Sequence, residues 1–150
     1  MHSPKIFLDN KARDEYISRG VKSLHFVCKL NKELYRVITA DIASDDVIIT
    51  DERIEHIKAH HPNDFETFSG FFAETINDPD YILEGNTERT LLLLKEILQE
   101  DRPVKLILRL KMFDDPAEYQ NSIITFTRTD RKEWTRLLKK KKIFYKKTAP

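Results

Sequence analysis

Three of the five histidines lie in one short stretch of the sequence, TDERIEHIKAHHP, residues 50–62. Histidine is the side chain best suited to moving a proton near neutral pH, because its usual pKa lies close to that range. Arg53 adds a cation that can bind an anionic group. The stretch therefore indicates acid–base chemistry on an anion, with a surface helix carrying incidental histidines as the alternative.

The same stretch has the signals of a helix that positions these side chains. Thr50 or Asp51 can cap its N-terminus, and Pro62 disfavours its continuation. At about 100° per residue, the helix has an apolar stripe that should pack on the protein and a polar stripe that should line a groove. The apolar stripe is Ile54, Ile57 and His61, and the polar stripe is Arg53, His56 and His60.

Two kinds of chemistry fit these histidines. Metal-independent RNA cleavage needs a base for the 2′-hydroxyl, an acid for the departing 5′-oxygen, and donors for the phosphate charge, and histidines beside a cation supply all three. Alternatively, His56 and His60 have the i, i+4 spacing of a zinc helix, although Ile57 stands where metalloproteases have glutamate. The sequence contains no glycine-rich phosphate loop, no GxSxG motif and no paired cysteines.

The composition indicates a soluble globular protein with a single domain, residues 1–150. Hydrophobic residues make up 40% of the chain and charged residues 34%, and no apolar run approaches the roughly 20 residues that span a bilayer. We therefore expect no membrane partner. Cys28 is the only cysteine, and the N-terminus lacks the apolar segment of a signal peptide. Both features predict a cytoplasmic protein.

Basic residues are concentrated at the C-terminal end. Residues 131–150 contain nine of the 26 basic residues and one of the 25 acidic residues, a net charge of +8 against −7 for the rest of the chain. Such a concentration attracts phosphate groups. It also suits the last turn of a helix and favours solubility, so it is weak evidence for nucleic-acid binding.

The first half of the chain alternates between strand and helix patterns. Residues 24–30 predict a strand, and residues 34–40 predict a second strand joined to it as a β-hairpin. Residues 46–50 predict a strand that leads directly into the histidine helix. Asn63 and Glu66 then have the spacing of a capping box for another helix. The aromatic stripe Phe65, Phe68, Phe72 and Ile76 should lie in the core.

The second half is rich in strand patterns. Alternating residues predict strands at 104–112 and 122–129, and IFYKK, residues 143–147, predicts a last one. A capping box that begins at Asp130 predicts a helix before it. The run TLLLLKEIL, residues 90–98, fits a helix by propensity and a buried strand by its position, so the pattern leaves both open. These elements predict an α+β fold.

The motifs RIEHIKAHHP, NDPDYIL, NSIITFTRT and IFYKK, in this order, resemble those of the phage-associated barnase/EndoU/colicin/RelE-like (BECR) nuclease families. The resemblance extends from Val47 to Lys147, the nuclease-like core, and leaves residues 1–46 as an N-terminal extension with the hairpin. It implies helices packed on one face of a mostly antiparallel sheet of four to five strands, in which residues 90–98 form a strand. It also implies RNA cleavage in a cleft between helix and sheet, without a metal or other cofactor.

The resemblance assigns roles by position. It implies that His56 and His61 form the catalytic acid–base pair, whereas helical geometry alone pairs His56 with His60, where the family motif often has arginine or lysine. It also implies catalytic roles for Thr125 and Tyr145. The substrate-binding candidates are Arg53, Arg128 and Lys146.

Regular strand geometry constrains these candidates. Thr125 should share a face with Ile123 and Thr127, and Tyr145 and Lys146 should point to opposite faces unless their strand bulges. We expect Tyr145 to contact the transition state or stack on a base, and Lys146 to contact phosphate.

Together these features predict a metal-independent endoribonuclease, phage-encoded or toxin-like, that leaves a 2′,3′-cyclic phosphate. RNA is the expected partner, and an inhibitor or antitoxin protein is a further expected partner of a toxin. Two alternatives stay open. One is a noncatalytic RNA- or protein-binding module of the same fold, and the other is a metal-dependent hydrolase that uses His56 and His60.

Overall fold

The computed structural model describes residues 24–148, so the first 23 residues of the predicted extension lie outside the described part. The strands are β1 (Leu24–Lys29), β2 (Asp46–Thr50), β3 (Tyr81–Glu84), β4 (Thr90–Ile97), β5 (Arg102–Arg109), β6 (Asn121–Arg128) and β7 (Ile143–Lys146). The α-helices are α1 (Lys32–Tyr35), α2 (Asp51–His60), α3 (Asp64–Phe68), α4 (Phe72–Asn77) and α5 (Arg131–Lys140). Within this part of the chain, no helix is long and apolar enough to cross a membrane.

The strands of residues 24–148 form one seven-stranded sheet in the order β1-β2-β6-β5-β4-β3-β7. Strands β2 and β6 are parallel, and every other neighbouring pair is antiparallel. The α+β class and the mostly antiparallel character are confirmed. The predicted count of four to five strands is too low, because β1 and β7 extend the sheet at its two edges.

Helices cover both faces of the sheet. Helices α2, α3 and α4 pack on one face and form the main core, while Trp134 and Leu137 of α5 pack on the other face and form a second core. The leucine run at residues 91–94 of β4 supplies alternate side chains to the two cores. The prediction that helices cover one face is therefore wrong, because a central strand that is apolar on both sides needs cover on both.

The predicted N-terminal hairpin is also wrong. Residues 34–40 form no strand; the chain instead turns through α1, whose N-cap Asn31 accepts a hydrogen bond from Leu34 N at 3.3 Å. This turn buries Tyr35 in the main core, where its hydroxyl donates to Ile76 O at 2.6 Å. Strand β1 pairs with β2 instead. A buried tyrosine with a satisfied hydroxyl outweighs the strand propensity of these residues.

The region after the histidine helix is helical but interrupted. Asn63 precedes α3 with a left-handed backbone, φ 71°, and its side chain makes no capping hydrogen bond, so the predicted capping box is wrong. A 3₁₀ turn, Ser69–Phe71, separates α3 from α4. The aromatic stripe nevertheless packs in or against the main core, as predicted. Residues 90–98 provide strand β4, which confirms the strand that the resemblance implies.

Candidate active site

Helix α2 is anchored at its start and packed along its length. Thr50, the last residue of β2, accepts a hydrogen bond from Arg53 N at 3.2 Å, which confirms the predicted cap. Ile54 and Ile57 are buried in the main core. Within residues 24–148, β2 pairs with β6 at two positions, and α2 packs against β6. This packing brings the C-terminal end of α2 to the last residues of β6.

His61 joins the end of α2 to β6. Its Nδ1 lies 3.0 Å from Oγ1 of Thr127, which is also 3.2 Å from the backbone oxygen of Arg128. A hydroxyl carries one proton, so when Thr127 donates to Arg128 O, it accepts from Nδ1–H of His61. In that tautomer, Nε2 of His61 holds a lone pair and can act as a base.

His60 is fixed by His56. The two rings stack with their centroids 4.3 Å apart, and Nδ1 of His60 lies 3.0 Å from the backbone oxygen of His56. Because a carbonyl oxygen only accepts, Nδ1 of His60 carries the proton in this hydrogen bond, and Nε2 is the nitrogen that gains or loses one. In the described part of the chain, no group of three or more His, Cys, Asp or Glu side chains is arranged to hold a metal ion.

Two arginines lie beside these histidines. Arg128 Nε is 2.8 Å from Oδ1 of the buried Asp64, which fixes the guanidinium while leaving about half of the side chain exposed. Arg102, at the start of β5, is exposed and forms no ion pair with any residue between 24 and 148. A guanidinium without a carboxylate partner can bind a phosphate through several N–H groups.

Glu133 is one of three carboxylates at this site, together with Asp64 and Asp130. Thr129 Oγ1 donates to its Oε1 at 2.5 Å, and Lys105 Nζ lies 3.1 Å from the same oxygen. Partial burial opposes ionisation, but the hydrogen bonds from Thr129 and Lys105 outweigh it and lower the pKa of Glu133. Glu133 is therefore an anion held in place at neutral pH rather than a proton donor.

These side chains line an open cavity of about 510 Å³, the histidine cavity. Its lining includes His60, His61, Thr127, the guanidinium groups of Arg102 and Arg128, and the carboxylates of Asp64, Asp130 and Glu133. Such a volume is typical of small-molecule sites, roughly 300–1,000 Å³. The cavity offers two histidine rings for proton transfer and two guanidinium groups for an anion. This arrangement can perform acid–base chemistry on a phosphodiester.

Thr125 points away from the main core. A β-bulge in β6 pairs Leu108 with Ile123 and Ile107 with Thr125, which leaves Ile124 as the extra residue. Ile123 therefore enters the main core, while Thr125 lies on the face that α5 covers. The prediction that Thr125 and Ile123 share a face is wrong for this reason. The Thr125 hydroxyl is buried without a hydrogen-bond partner among the described residues, and Thr125 does not line the histidine cavity.

Tyr145 and Lys146 lie on β7, at the far edge of the sheet. Strands β5, β4 and β3 separate β7 from β6. At the usual strand spacing this separation is about 19 Å. Tyr145 is paired with Ile82 and packs against the main core, while Lys146 is exposed. The structure does not bring either residue to His61.

Arg53 and His56 also lie outside the histidine cavity. Arg53 is half-buried and lines a second cavity near the start of α2. His56 is exposed and contacts His60. Of the predicted site residues, the structure therefore brings His60, His61 and Arg128 together.

Seven of the ten lining residues are not among the predicted site residues, and Thr127, Glu133 and Arg102 show why. Thr127 has the same β-branched pattern as Thr125, so nothing local distinguishes the two. Glu133 is predicted as a capping residue, but its side chain turns to Thr129 and Lys105 instead. Arg102 reaches the cavity because β5 pairs antiparallel with β6. The order of the elements along the chain does not reveal that pairing.

The comparison with known protein families gave a match. The family described as phage-Barnase-EndoU-ColicinE5/D-RelE like nuclease 2 matches residues 26–146, which is most of the chain. The chain belongs to this nuclease family. Neither the comparison with curated proteins nor the comparison with solved structures gave a match.

Membership of this phage BECR-like family confirms the family resemblance that the sequence motifs indicate. It supports a nuclease function and therefore a nucleic-acid substrate. The match begins at Phe26 rather than at Val47, so it includes β1 and α1. These two elements belong to the sheet and the main core that position the histidine cavity.

Proposed function

We propose that this nuclease is a metal-independent endoribonuclease that cuts RNA by attack of a 2′-hydroxyl, leaving a 2′,3′-cyclic phosphate. The observation that carries the proposal is the 3.0 Å contact between His61 Nδ1 and Thr127 Oγ1, in a cavity shared with His60 and two arginines. A base oriented by a hydroxyl, next to a second histidine, supplies what intramolecular transesterification needs.

The two histidines divide the proton transfers. Nε2 of His61 accepts the proton of the 2′-hydroxyl, whose oxygen attacks the phosphorus. The bond between phosphorus and the 5′-oxygen breaks, and protonated His60 gives its Nε2 proton to that oxygen. His56 fixes the acid through the ring stack and its backbone oxygen. The pair His61 and His60 therefore takes the place of His61 and His56 in the proposed mechanism.

The guanidinium groups bind the reacting phosphate. Arg128 is oriented by Asp64, so its N–H groups are fixed before substrate arrives. Arg102 is exposed and forms no ion pair with a carboxylate among residues 24–148. Donors that are already in position stabilise the charge that develops on the phosphate oxygens in the transition state. Glu133 accepts a hydrogen bond from Thr129, which also lines the cavity, and pairs with Lys105.

RNA binding without cleavage is the second candidate. It is favoured by the net charge of +8 in residues 131–150, which needs no histidine chemistry to attract phosphate. A cytoplasmic location, a toxin-type role and an inhibitor protein stay predictions from the sequence.

Cleavage of a labelled RNA in the presence of EDTA distinguishes the two candidates. We expect cleavage by the unmodified protein and a loss of at least about 100-fold in His61→Gln and in His60→Gln, the usual contribution of a general acid or base. Glu55→Gln changes an exposed residue of the same helix and should retain activity. RNA binding without products would select the binding module, and undiminished cleavage by both histidine variants would remove this active site.

A further inference from the structure

A second cavity lies beside the start of α2 and is lined by residues of β1, β2, β5 and β6 and of the segment before β6. It has a volume of about 440 Å³, and we call it the Tyr119 cavity. Its lining includes Ile48, Arg53, Arg109, Tyr119, Ser122 and Ile124. The isoleucines give it an apolar wall, and the tyrosine adds an aromatic ring. No step of the proposed cleavage uses this cavity.

The Tyr119 ring is held in place although 45% of the residue is exposed. The guanidinium carbon of Arg109 lies 5.2 Å from the centre of the ring. Asp115 fixes that guanidinium through two hydrogen bonds of 2.9 and 3.2 Å, and it also accepts from Met112 N at 2.8 Å. An exposed aromatic ring that the fold already orients is a prepared stacking surface.

The lining of the Tyr119 cavity favours a flat group with apolar faces. Leu24 and the isoleucines supply apolar side chains, and Glu52 and Glu118 line it together with Arg53 and Arg109. A nucleobase is flat, neutral and apolar on its faces, with hydrogen-bonding groups on its edge. Bases that proteins read in single-stranded RNA are unstacked and lie on aromatic side chains.

The two cavities are aligned along the same helix and strand. Arg53 lies in the Tyr119 cavity and His60 in the histidine cavity, and these two residues are about 10 Å apart along the axis of α2. On β6, Ser122 and Ile124 lie in the first cavity and Thr127 in the second. Neighbouring nucleotides of one extended strand can therefore reach both.

We propose that the Tyr119 cavity binds an unstacked base of single-stranded RNA, one whose neighbouring phosphate enters the histidine cavity. The inference rests on the proposed function, which gives RNA as the substrate. It adds that the bound RNA is single-stranded. Duplex RNA is excluded because its bases are stacked and paired. Tyr119 supplies the stacking face, and Arg53 lines the same cavity.

Binding of a short 2′-O-methyl RNA tests the inference without requiring cleavage, because this strand has no free 2′-hydroxyl. Its affinity is measured by fluorescence anisotropy, as a single strand and as a duplex. We expect Tyr119→Ala to weaken single-strand binding about fivefold to a hundredfold, the range for loss of one stacked base. Phe113→Ala is the matched control, because Phe113 is a 70% exposed aromatic residue near Tyr119 that does not line the cavity. Tyr119→Leu, which keeps apolar bulk, replaces the alanine variant should that one not fold.

Removing one base at a time from the same strand locates the contact. A strand with one particular base removed should bind the unmodified protein more weakly. The same removal should not further weaken binding to the Tyr119→Ala variant, because both changes remove the same stacking contact. Any one of four results would overturn the inference. Two of them are equal affinities of the Tyr119→Ala and Phe113→Ala variants and, at every abasic position, an effect on binding that adds to the effect of Tyr119→Ala. The other two are tighter binding of the duplex than of the single strand and no binding of the single strand. Binding that depends on Tyr119 in a protein that cleaves no RNA would leave the inference standing and remove the proposed activity.

Discussion

The Nδ1 atom of His61 lies 3.0 Å from the hydroxyl oxygen of Thr127, although the two residues are 66 positions apart in the sequence. Helix α2 and strand β6 each bring one of the two residues to the rim of the sheet. The contact fixes the orientation of the imidazole and leaves its other nitrogen for substrate. It is the structural basis of the proposed acid–base chemistry.

Removing the Thr127 hydroxyl should impair catalysis with little effect on binding. We expect Thr127→Val to lower kcat about tenfold to a hundredfold, because His61 loses the partner that fixes its ring, while KM stays close to its original value. Thr127→Ser retains a hydroxyl and should retain most of the activity. Equal kcat values for the valine and serine variants would show that the hydroxyl does not orient the base.

Removing Arg102 should weaken the electrostatic part of RNA binding. Neutralising one phosphate of a single strand contributes about 0.7 to the slope of log affinity against log salt, so Arg102→Gln should flatten that slope by roughly this amount. Arg36→Gln removes the same charge at the C-cap of α1, where Arg36 is paired with Glu33 and does not line the histidine cavity. A salt slope for Arg102→Gln equal to that of Arg36→Gln would place Arg102 outside the phosphate contact.

Asn121 should be critical for stability rather than for chemistry. Its fully buried amide accepts from Lys111 N at 2.7 Å and donates to the backbone oxygens of Ser44 and Asp46 at 2.6 and 3.1 Å. These bonds hold the start of β6 at its parallel junction with β2. We expect Asn121→Ala to lower the free energy of unfolding by about 2–4 kcal/mol, measured by urea denaturation, because it removes three hydrogen bonds of a buried amide. The exposed Gln99→Ala should change it little.

Acid should remove a contribution of Glu133 to stability. The pKa of Glu133 is lowered in the folded protein, although burial opposes the shift, because Thr129 and Lys105 stabilise its carboxylate. A lowered pKa stabilises the fold above the usual value near 4.3, and the contribution is lost as pH falls through the folded pKa. The difference in unfolding free energy between the unmodified protein and Glu133→Gln should therefore be largest above about pH 5 and shrink on acidification. A difference that stays constant from pH 7 to pH 3 would contradict this account.

Local patterns were sufficient to predict several elements that hold the site. The Thr50 cap, the alternation of β5 and the capping residue Asp130 are all observed. These features depend on a few neighbouring residues, which the sequence shows directly. Residues 34–40 could not be predicted in this way, because their conformation depends on the burial of Tyr35 beside Ile76, which is distant in sequence.

The site was harder to predict than the elements because it depends on strand order and register. The bulge at Ile124 reverses the expected face of Ile123, and a bulge has no reliable signal in a β-rich run. Three strands separate Tyr145 from β6, a separation that no local pattern encodes. The role proposed for His61, by contrast, comes from the family resemblance, because helical spacing alone places His61 on the apolar stripe.

The products of cleavage test the central claim most directly. An RNA oligonucleotide and the same strand with a single 2′-deoxynucleotide at the cleaved bond are incubated with the protein in EDTA, and the ends of the fragments are analysed. The proposed mechanism predicts a 2′,3′-cyclic phosphate and a free 5′-hydroxyl from the first strand and no cut at that bond in the second. Fragments with a 5′-phosphate, or cleavage of the deoxy-substituted bond, would contradict it.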